Sequence, residues 1–258
     1  MNTLSTRELI DWLNTTLTPE RFRDYCPNGL QVQGSETVRH VVTGVTASRA
    51  LLEAAIEQQA DTVLVHHGWF WKNEDPRIVG PKRARLALAL ANNLNVIGYH
   101  LPLDAHPELG NNAQLGLRFG FEPDRTPDGN PRGYGEQGLV WAGAVTEPVT
   151  LGALTERIES VLQRTPVVIG NPDQRIERAG WCTGGAQGYF QTAIDAGVHV
   201  FITGEISEPC YHLACETGVA FIAAGHHATE RYGIKALGDA LQAQLGVNVS
   251  FIDLDNPA

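Results

Sequence analysis

The sequence predicts an α/β fold built from two similar, intertwined α/β units in a chain of 258 residues. Short apolar, β-branched runs alternate with helical segments of about ten residues, which is typical of βαβ units with parallel strands. The alternation occurs twice, and corresponding strands follow one another at nearly constant intervals, which suggests a duplication. We therefore expect three layers with mostly parallel sheets. Chance similarity between two ordinary α/β domains is the alternative.

The first series opens with an amphipathic helix over residues 6–17, in which apolar side chains recur at helical spacing. A turn at Pro27, Asn28 and Gly29 leads into a short strand at 30–32. The elements predicted next are strands at 41–45, 62–67 and 96–100 and helices at 49–58 and 82–92. Together these form the first unit.

The second series repeats this plan, with strands at 178–183, 198–203 and 219–224 and helices at 188–196 and 208–216. Residues 124–138 are rich in Gly, Pro and Asp, which predicts a linker or a long surface loop. Further helices are expected at 149–162 and 231–245, with a last strand at 247–254. We assign residues 1–124 and 225–258 to the first unit and 125–224 to the second.

Composition excludes several classes of protein. The chain has 19 basic and 29 acidic residues, a formal charge of -10, which argues against general binding of duplex DNA. It contains neither a signal peptide pattern nor an apolar run of the ~20 residues that a membrane helix needs. Its four cysteines form no Cys-x2-Cys pair. We therefore predict a cytoplasmic protein with buried free thiols and no membrane partner.

Three apolar runs end in histidine, and two of these histidines have a carboxylate four residues later. Ligands of parallel α/β sheets collect at the carboxyl ends of strands. The sequence therefore predicts one metal site, in the cleft between the units, assembled from distant segments. Its candidate residues are His66, His67, His100, Asp104, His226 and Glu230.

Spacing sets limits on how these side chains meet. Neighbouring strand residues point to opposite faces, so His66 and His67 share a site only if the strand has ended, and Gly68 permits a turn there. His226 and Glu230 lie on one helical face if a helix begins at that point. Pro102 indicates a loop, so the His100 and Asp104 side chains need not both reach the metal.

Imidazole and carboxylate ligands suit zinc, manganese, iron or nickel. Six candidates exceed the needs of one ion, so we predict two divalent cations about 3.5–4 Å apart, with Glu230 as the bridge. A water held by such a pair ionises near neutral pH and can attack carbon or phosphorus. His100 and Glu205 are candidates for moving protons; Glu205 could also contact the substrate, and a solvent-facing Glu205 is the favoured alternative.

Other residues could contact a substrate. The turn from Cys182 to Gly188 contains Gly184 and Gly185, whose amides could cradle a phosphate; a tight turn under close packing is the alternative. Trp69 could stack on a planar base or simply wall the cavity. His227 is expected to line the pocket.

The chain resembles the GTP cyclohydrolase 1 type 2 homolog family of dinuclear-metal proteins over nearly its whole length, and is most similar to short bacterial members that lack an inserted domain. The resemblance rests on six motifs: residues 25–32 (Tyr-Cys-Pro-Asn-Gly-Leu-Gln-Val), His66-His67, 99–104, Gly110-Asn111-Asn112, Thr203-Gly204-Glu205 and 225–230. It implies metal ligands at His66, His67, Asp104, His226 and Glu230, with Glu230 touching both ions. It leaves His100 as a pocket residue and implies a ring-shaped homohexamer.

Two hypotheses for function follow. The first is a metal-dependent hydrolase of a nucleotide-like small molecule, acting by GTP cyclohydrolase-like ring opening or by hydrolysis of a damaged nucleotide or phosphoester. The second is a non-enzymatic, metal-binding ring that serves as a scaffold or regulator with a link to DNA repair. Threading of single-stranded nucleic acid through the ring is a further possibility, and the acidic balance counts against it.

Overall fold

A computed structural model describes residues 2–258, and strands and helices alternate along most of this range. The helices are α1 (Thr6–Leu17), α2 (Arg49–Glu57), α3 (Gly80–Ala91), α4 (Leu101–Ala105), α5 (Asn111–Phe119), α6 (Leu151–Leu162), α7 (Phe190–Asp195), α8 (Glu208–Thr217) and α9 (His226–Leu245). The strands are β1 (Leu4–Ser5), β2 (Gly29–Val32), β3 (Thr37–Val38), β4 (His40–Thr46), β5 (Thr62–His67), β6 (Asn95–Gly98), β7 (Phe121–Pro123), β8 (Gly133–Tyr134), β9 (Val140–Thr150), β10 (Val167–Ile169), β11 (Arg175–Trp181), β12 (Val200–Thr203), β13 (Ala220–Ala223) and β14 (Asn248–Phe251). Short 3-10 turns occur at Pro19–Arg21, Glu136–Gly138 and Gln187–Tyr189.

The chain forms two compact units, each made of two stretches of sequence. The first unit runs up to Leu103 and takes in Gly233–Asp255, and the second comprises Asp104–Tyr232 and Asn256–Ala258. Residues 104–124 and the start of α9 therefore belong to the second unit in this division. The domain boundaries at 124/125 and 224/225 that the sequence pattern suggests differ from these and stay a proposal.

The first unit contains a five-stranded sheet in the order β14-β4-β5-β6-β2. The strands from β14 to β6 are parallel, and only β2 runs antiparallel to its neighbour. The residues of β5 are buried up to His66, as expected for a parallel strand covered on both faces. Helix α1 has the predicted bounds, and a capping box between Ser5 and Glu8 explains where it starts.

The second unit contains a seven-stranded sheet in the order β10-β13-β12-β11-β9-β7, with β8 added beside β9. Only β11–β12 and β12–β13 are parallel pairs, while β7, β8, β9 and β10 pair antiparallel. The prediction of mostly parallel sheets is thus confirmed for the first unit and wrong for the second. The additional strands come from segments without the repeated βα pattern, and the predicted loop at 124–138 includes β8.

Both sheets contain three adjacent parallel strands in chain order, β4-β5-β6 in one and β11-β12-β13 in the other. This common plan supports duplication, which stays a proposal. The predicted site residues lie at or after the carboxyl ends of these strands, as the rule for parallel sheets requires. Within residues 2–258, no helix is both long enough and apolar enough to span a bilayer.

Two local expectations change where the site lies. The loop predicted at Pro102 is wrong. Pro102 lies in the first turn of α4, where the missing backbone N–H of proline is tolerated. Helix α9 begins at His226 rather than at Arg231, so His226 and Glu230 lie one turn apart on the same helix. The helical spacing that the sequence left conditional is therefore confirmed.

Candidate metal centre

Three histidines cluster at the carboxyl ends of β5 and β6 in the first unit. Ring centroids are 4.5 Å apart for His66 and His67, 5.1 Å for His66 and His100, and 5.7 Å for His67 and His100. One nitrogen of each ring lies within 4.8 Å of those of the other two. Strand β5 continues through His67, which pairs with Thr46. Both histidines therefore belong to the strand and their rings still lie side by side, so the strand does not end before the pair.

Each of these imidazoles has its Nδ1 atom beside an oxygen. The His66 Nδ1 is 3.1 Å from the carbonyl oxygen of Tyr99, and the His67 Nδ1 is 3.3 Å from the Thr46 hydroxyl. The His100 Nδ1 is 2.7 Å from the Asp24 carboxylate. Metal-binding histidines commonly engage one ring nitrogen in this way and present the other to the ion. The nitrogen that each ring can offer to a metal is then Nε2.

Asp24 is a site residue that sequence reasoning missed. Its Oδ2 atom accepts hydrogen bonds from the Asn28 amide and the Leu101 backbone N–H, both at 2.9 Å. Burial opposes ionisation, but the hydrogen bond and charge of His100, with the Asn28 and Tyr25 donors, lower the Asp24 pKa below its usual value. The carboxylate is therefore held ionised against His100. Asp24 immediately precedes the motif at 25–32, yet its polar neighbours resemble an ordinary surface segment.

Two buried carboxylates lie in the second unit. Asp104 is 7% exposed and Glu230 is 2% exposed. The Oδ1 atom of Asp104 accepts hydrogen bonds from the Asn111 amide at 2.8 Å and the Thr183 hydroxyl at 3.1 Å. A charged carboxylate is costly to bury unless it is paired, hydrogen-bonded or bound to a metal. Asp104 is held in place by hydrogen bonds and Glu230 is deeply buried, and both properties are suitable for a carboxylate that binds a cation.

His226 lies between two carboxylates of the same unit. Its Nδ1 atom is 2.7 Å from Glu205, and its Nε2 atom is 3.3 Å from Glu230. Partial burial opposes protonation of the ring, but the hydrogen bonds and charges of Glu230 and Glu205 raise the His226 pKa to about 9. This describes the metal-free protein, because a ligating imidazole must give up the proton on its metal-binding nitrogen. Glu205 orients His226 in this geometry, and its predicted role in proton movement stays a prediction.

Gly184 brings its backbone against the His226–Glu230 pair. Its φ is +67°, and a Cβ atom added there would lie 2.0 Å from the Glu230 carboxylate and 3.1 Å from the His226 Nε2. Its N–H donates to the Thr229 hydroxyl at 3.0 Å. This use of the amide favours the tight-turn alternative over a phosphate cradle at Gly184. A Cβ added to Gly185 would lie 3.5 Å from the Glu205 carboxylate, and a role for Gly185 in substrate binding stays a prediction.

The aromatic ring beside the histidines belongs to Trp71. Its centroid is 5.0 Å from that of His100 and 6.0 Å from that of His67. Trp69 is buried in the core of the first unit and donates its indole N–H to the Ala47 carbonyl. His227 is also buried, on α9. The roles of Trp69 and His227 toward a substrate stay predictions.

The donor sets fit divalent transition metals. The first unit offers imidazole nitrogens, and the second offers one imidazole and two carboxylates, a mixture that suits zinc, manganese, iron or nickel better than calcium. Two of the cysteines are buried thiols in the metal-free protein: burial and the Asp24 charge raise the Cys26 pKa to about 12. Burial and the charges of Asp104 and Glu230 likewise raise the Cys182 pKa.

Comparisons with known proteins agree over the full chain. The family model described as Duf34/NIF3 (NGG1p interacting factor 3) matches residues 4–257. A protein of Neisseria meningitidis serogroup B named GTP cyclohydrolase 1 type 2 homolog is 56% identical over 252 residues, 98% of each chain. A protein of the same name from Pseudomonas aeruginosa is 50% identical over 97% of each chain. A solved structure described as protein ybgI, of unknown function, is 48% identical with a TM-score of 0.92, covering 99% of this chain and 100% of that one. The chain therefore belongs to the Duf34/NIF3 family, among relatives named GTP cyclohydrolase 1 type 2 homologs.

Proposed function

We propose that this protein is a metal-dependent hydrolase with a dinuclear centre. His66, His67, Asp104, His226 and Glu230 hold two divalent cations in this proposal, and Glu230 contacts both. The observation that carries it is the pair of buried carboxylates, Asp104 and Glu230, each placed by polar contacts in a unit that also supplies an imidazole. Ligands of both kinds are what two closely spaced cations require.

The proposal needs donors from both units to serve one centre. The resemblance noted from the sequence assigns the same five ligands to one centre.

Cations bound by these residues would supply Lewis acidity and lower the pKa of a bound water toward neutrality. The chain's own residues would then position the donors and handle protons. Glu205 keeps the His226 ring in one orientation through Nδ1, and Asn111 and Thr183 do the same for Asp104. His100 is our candidate for accepting or returning a proton at the mouth of the site, where its side chain is 14% exposed.

The substrate class in the proposal comes from the names of the relatives, which refer to GTP cyclohydrolase. We propose a nucleotide-like substrate, with water added either to the imidazole carbon of a guanine ring or to a phosphorus atom. A homohexameric ring and a cytoplasmic location are proposed on the resemblance and the composition.

Elemental analysis of the purified wild type and of Glu230→Gln, combined with a broad screen of nucleotides, tests the proposal. Wild type should hold about two ions per chain, and Glu230→Gln should lose at least one ion together with any turnover. Glu216→Gln, an exposed glutamate on α8, is the matched control and should match wild type. Equal metal content in wild type and Glu230→Gln would remove the bridge. Loss of the oligomer on chelation, with no turnover of any nucleotide, would favour the scaffold instead.

A further inference from the structure

We propose that a cavity beside α3 is a binding site for the phosphate group of a small molecule, with Arg85 as its main contact. The cavity lies in the first unit and has a volume of about 270 Å3. Three basic side chains line it, those of Arg77, Lys82 and Arg85, together with the acidic side chains of Glu74 and Asp75. The inference goes beyond the proposed metal chemistry and does not rest on it, because these residues are not the predicted metal ligands.

The two acidic side chains of the cavity are already paired with two of its cations. Asp75 accepts hydrogen bonds from Arg77 on both carboxylate oxygens, at 3.0 Å on Oδ1 and 2.6 Å on Oδ2. Glu74 has its Oε1 atom 3.3 Å from the Nζ atom of Lys82. Arg85 is therefore the cation whose charge no acidic side chain of the cavity offsets.

The guanidinium of Arg85 lacks a partner in the protein. Arg85 is half-buried, and within residues 2–258 its side chain makes no hydrogen bond and no ion pair. A guanidinium stays protonated in proteins, and withdrawing a charge from water is costly unless the charge is paired. Its planar fork of N–H donors matches the oxygens of a phosphate group. A phosphate in the cavity would supply the partner that the chain itself does not provide.

Lys82 can contribute a second contact to the same ligand. Its Nζ atom donates to the Asp75 carbonyl oxygen at 3.1 Å, is paired with Glu74, and lies 5.5 Å from the centroid of the Phe70 ring. These contacts hold the ammonium group in place, and of its three N–H donors one is left for a ligand. Lys82 and Arg85 are three positions apart on α3, so their side chains leave the same face of the helix.

The competing interpretation of these cations is a solvated helix face, which a run of basic residues usually forms. Arg83 fits that interpretation, because it is exposed and is not among the residues that line the cavity. Arg85 does not fit it, because it is half-buried and lines the cavity. The two arginines belong to the same helix and differ in these two respects, so Arg83 is the matched control for Arg85.

The size and the walls of the cavity suit a small phosphorylated molecule. Its volume of about 270 Å3 is just below the range of about 300–1,000 Å3 that is usual for ligand sites. Trp69, Val79 and Pro81 add apolar surface to the lining. A phosphate ester with a compact organic part would use both the charge and this surface, whereas inorganic phosphate would use the charge alone.

The test titrates the full chain, as purified and in a phosphate-free buffer, with ribose 5-phosphate by isothermal titration calorimetry. Wild type should bind this probe, and ribose without its phosphate should not bind. Arg85→Gln should weaken binding roughly tenfold or more, because hydrogen bonds between charged groups are lost. Arg85→Lys should lie between the two, because it retains the charge and loses the planar fork. Arg83→Gln should match wild type.

A second measurement uses wild type alone and keeps the inference testable if circular dichroism shows that Arg85→Gln does not fold. Phenylglyoxal modifies arginine side chains, and mass spectrometry locates the modified residues. Ribose 5-phosphate should slow the modification of Arg85 and leave that of Arg83 unchanged. Equal protection by inorganic phosphate would assign the site to the phosphate group alone, and stronger protection by the ester would add the apolar walls.

Two results would overturn the site. One is the absence of binding by wild type. The other is binding that Arg85→Gln leaves unchanged, with no protection of Arg85 from phenylglyoxal. A phosphate held by a metal centre would give this second result, so the comparison distinguishes the cavity from the proposed centre, and failure of the proposed hydrolase would leave the binding at Arg85 intact.

Discussion

Replacing Gly184 with alanine is expected to destabilise the second unit and to weaken metal binding. Two costs arise from the geometry. The φ of +67° is a left-handed conformation that costs a residue with a Cβ atom about 1–2 kcal/mol. The new Cβ would also lie 2.0 Å from the Glu230 carboxylate, which must move. Forcing that side chain away from its rotamer costs about 0.5–1.5 kcal/mol. The free energy of unfolding should therefore fall by about 1.5–3.5 kcal/mol.

Gly197→Ala provides the matched control. Gly197 has a φ of +73°, but a Cβ atom there would meet nothing within 4 Å. It therefore carries the cost of the left-handed backbone alone, about 1–2 kcal/mol. Gly188→Ala, with open space and no left-handed φ, should be close to neutral. The comparison isolates the clash with Glu230 from the strain of the turn.

Urea denaturation of the metal-free proteins, followed by tryptophan fluorescence, measures the first effect, and Co2+ titration measures the second. Only Gly184→Ala should lose metal affinity, because only its added methyl group displaces Glu230 from the position next to His226. If Gly184→Ala is no less stable than Gly197→Ala and binds the same number of ions with the same affinity, the close packing of the turn against Glu230 has no functional role.

Three further predictions concern the rest of the chain. Arg178 holds Asp124 through two hydrogen bonds and lowers its pKa; Asp124→Asn should cost about 1–3 kcal/mol near neutral pH. Because the folded pKa is below the unfolded one, this contribution is complete above the unfolded value and is lost as pH falls through the folded value. The difference in stability between the two proteins, measured by urea denaturation, should therefore shrink as pH falls below the ordinary pKa of an aspartate, and a constant gap would contradict the assignment. Asn95 is fully buried and donates to three oxygens, so Asn95→Ala should cost about 2–4 kcal/mol in the same assay, whereas Asn92→Ala, exposed on the surface, should be nearly neutral. Of the four free cysteines only Cys215 is exposed, so a thiol reagent should modify one site per native chain and none in Cys215→Ser; fast reaction at a second site would show that a buried thiol is accessible.

The fold could be predicted where strands are buried on both faces. The run of apolar residues before His66 leaves no solvent-facing alternation, so β5 has the bounds that the sequence predicts. The antiparallel strands of the second unit could not be found in this way. Strand β8 has two residues and is partly exposed, and β10 has three and is partly exposed. Their pairing depends on neighbours that are distant in sequence. Short exposed strands also contain too few residues for an alternation of apolar and polar side chains to be recognised.

The candidate site was predictable to the same extent and for the same reason. The histidines that follow buried strands stand out because a polar residue interrupts an apolar run. Asp24 does not stand out, because it lies in a polar segment and not at the end of an apolar run, and it reaches His100 across 76 positions of sequence. The contact of Glu205 with His226 also depends on tertiary structure, although the position of Glu205 at a strand end did indicate a site residue.

The contrast between Asp24 and Glu205 bears on the proposed duplication. His100 and His226 each follow the third parallel strand of their sheet, β6 or β13, so the imidazoles occupy corresponding places in the common plan. Their carboxylate partners do not, since Asp24 precedes β2 whereas Glu205 follows β12. In a duplication, both copies would retain the histidine at the strand end. The carboxylate that orients this histidine would have arisen separately in each copy. The shared feature is then a histidine at the end of the third parallel strand, whose Nδ1 atom faces a carboxylate in both units.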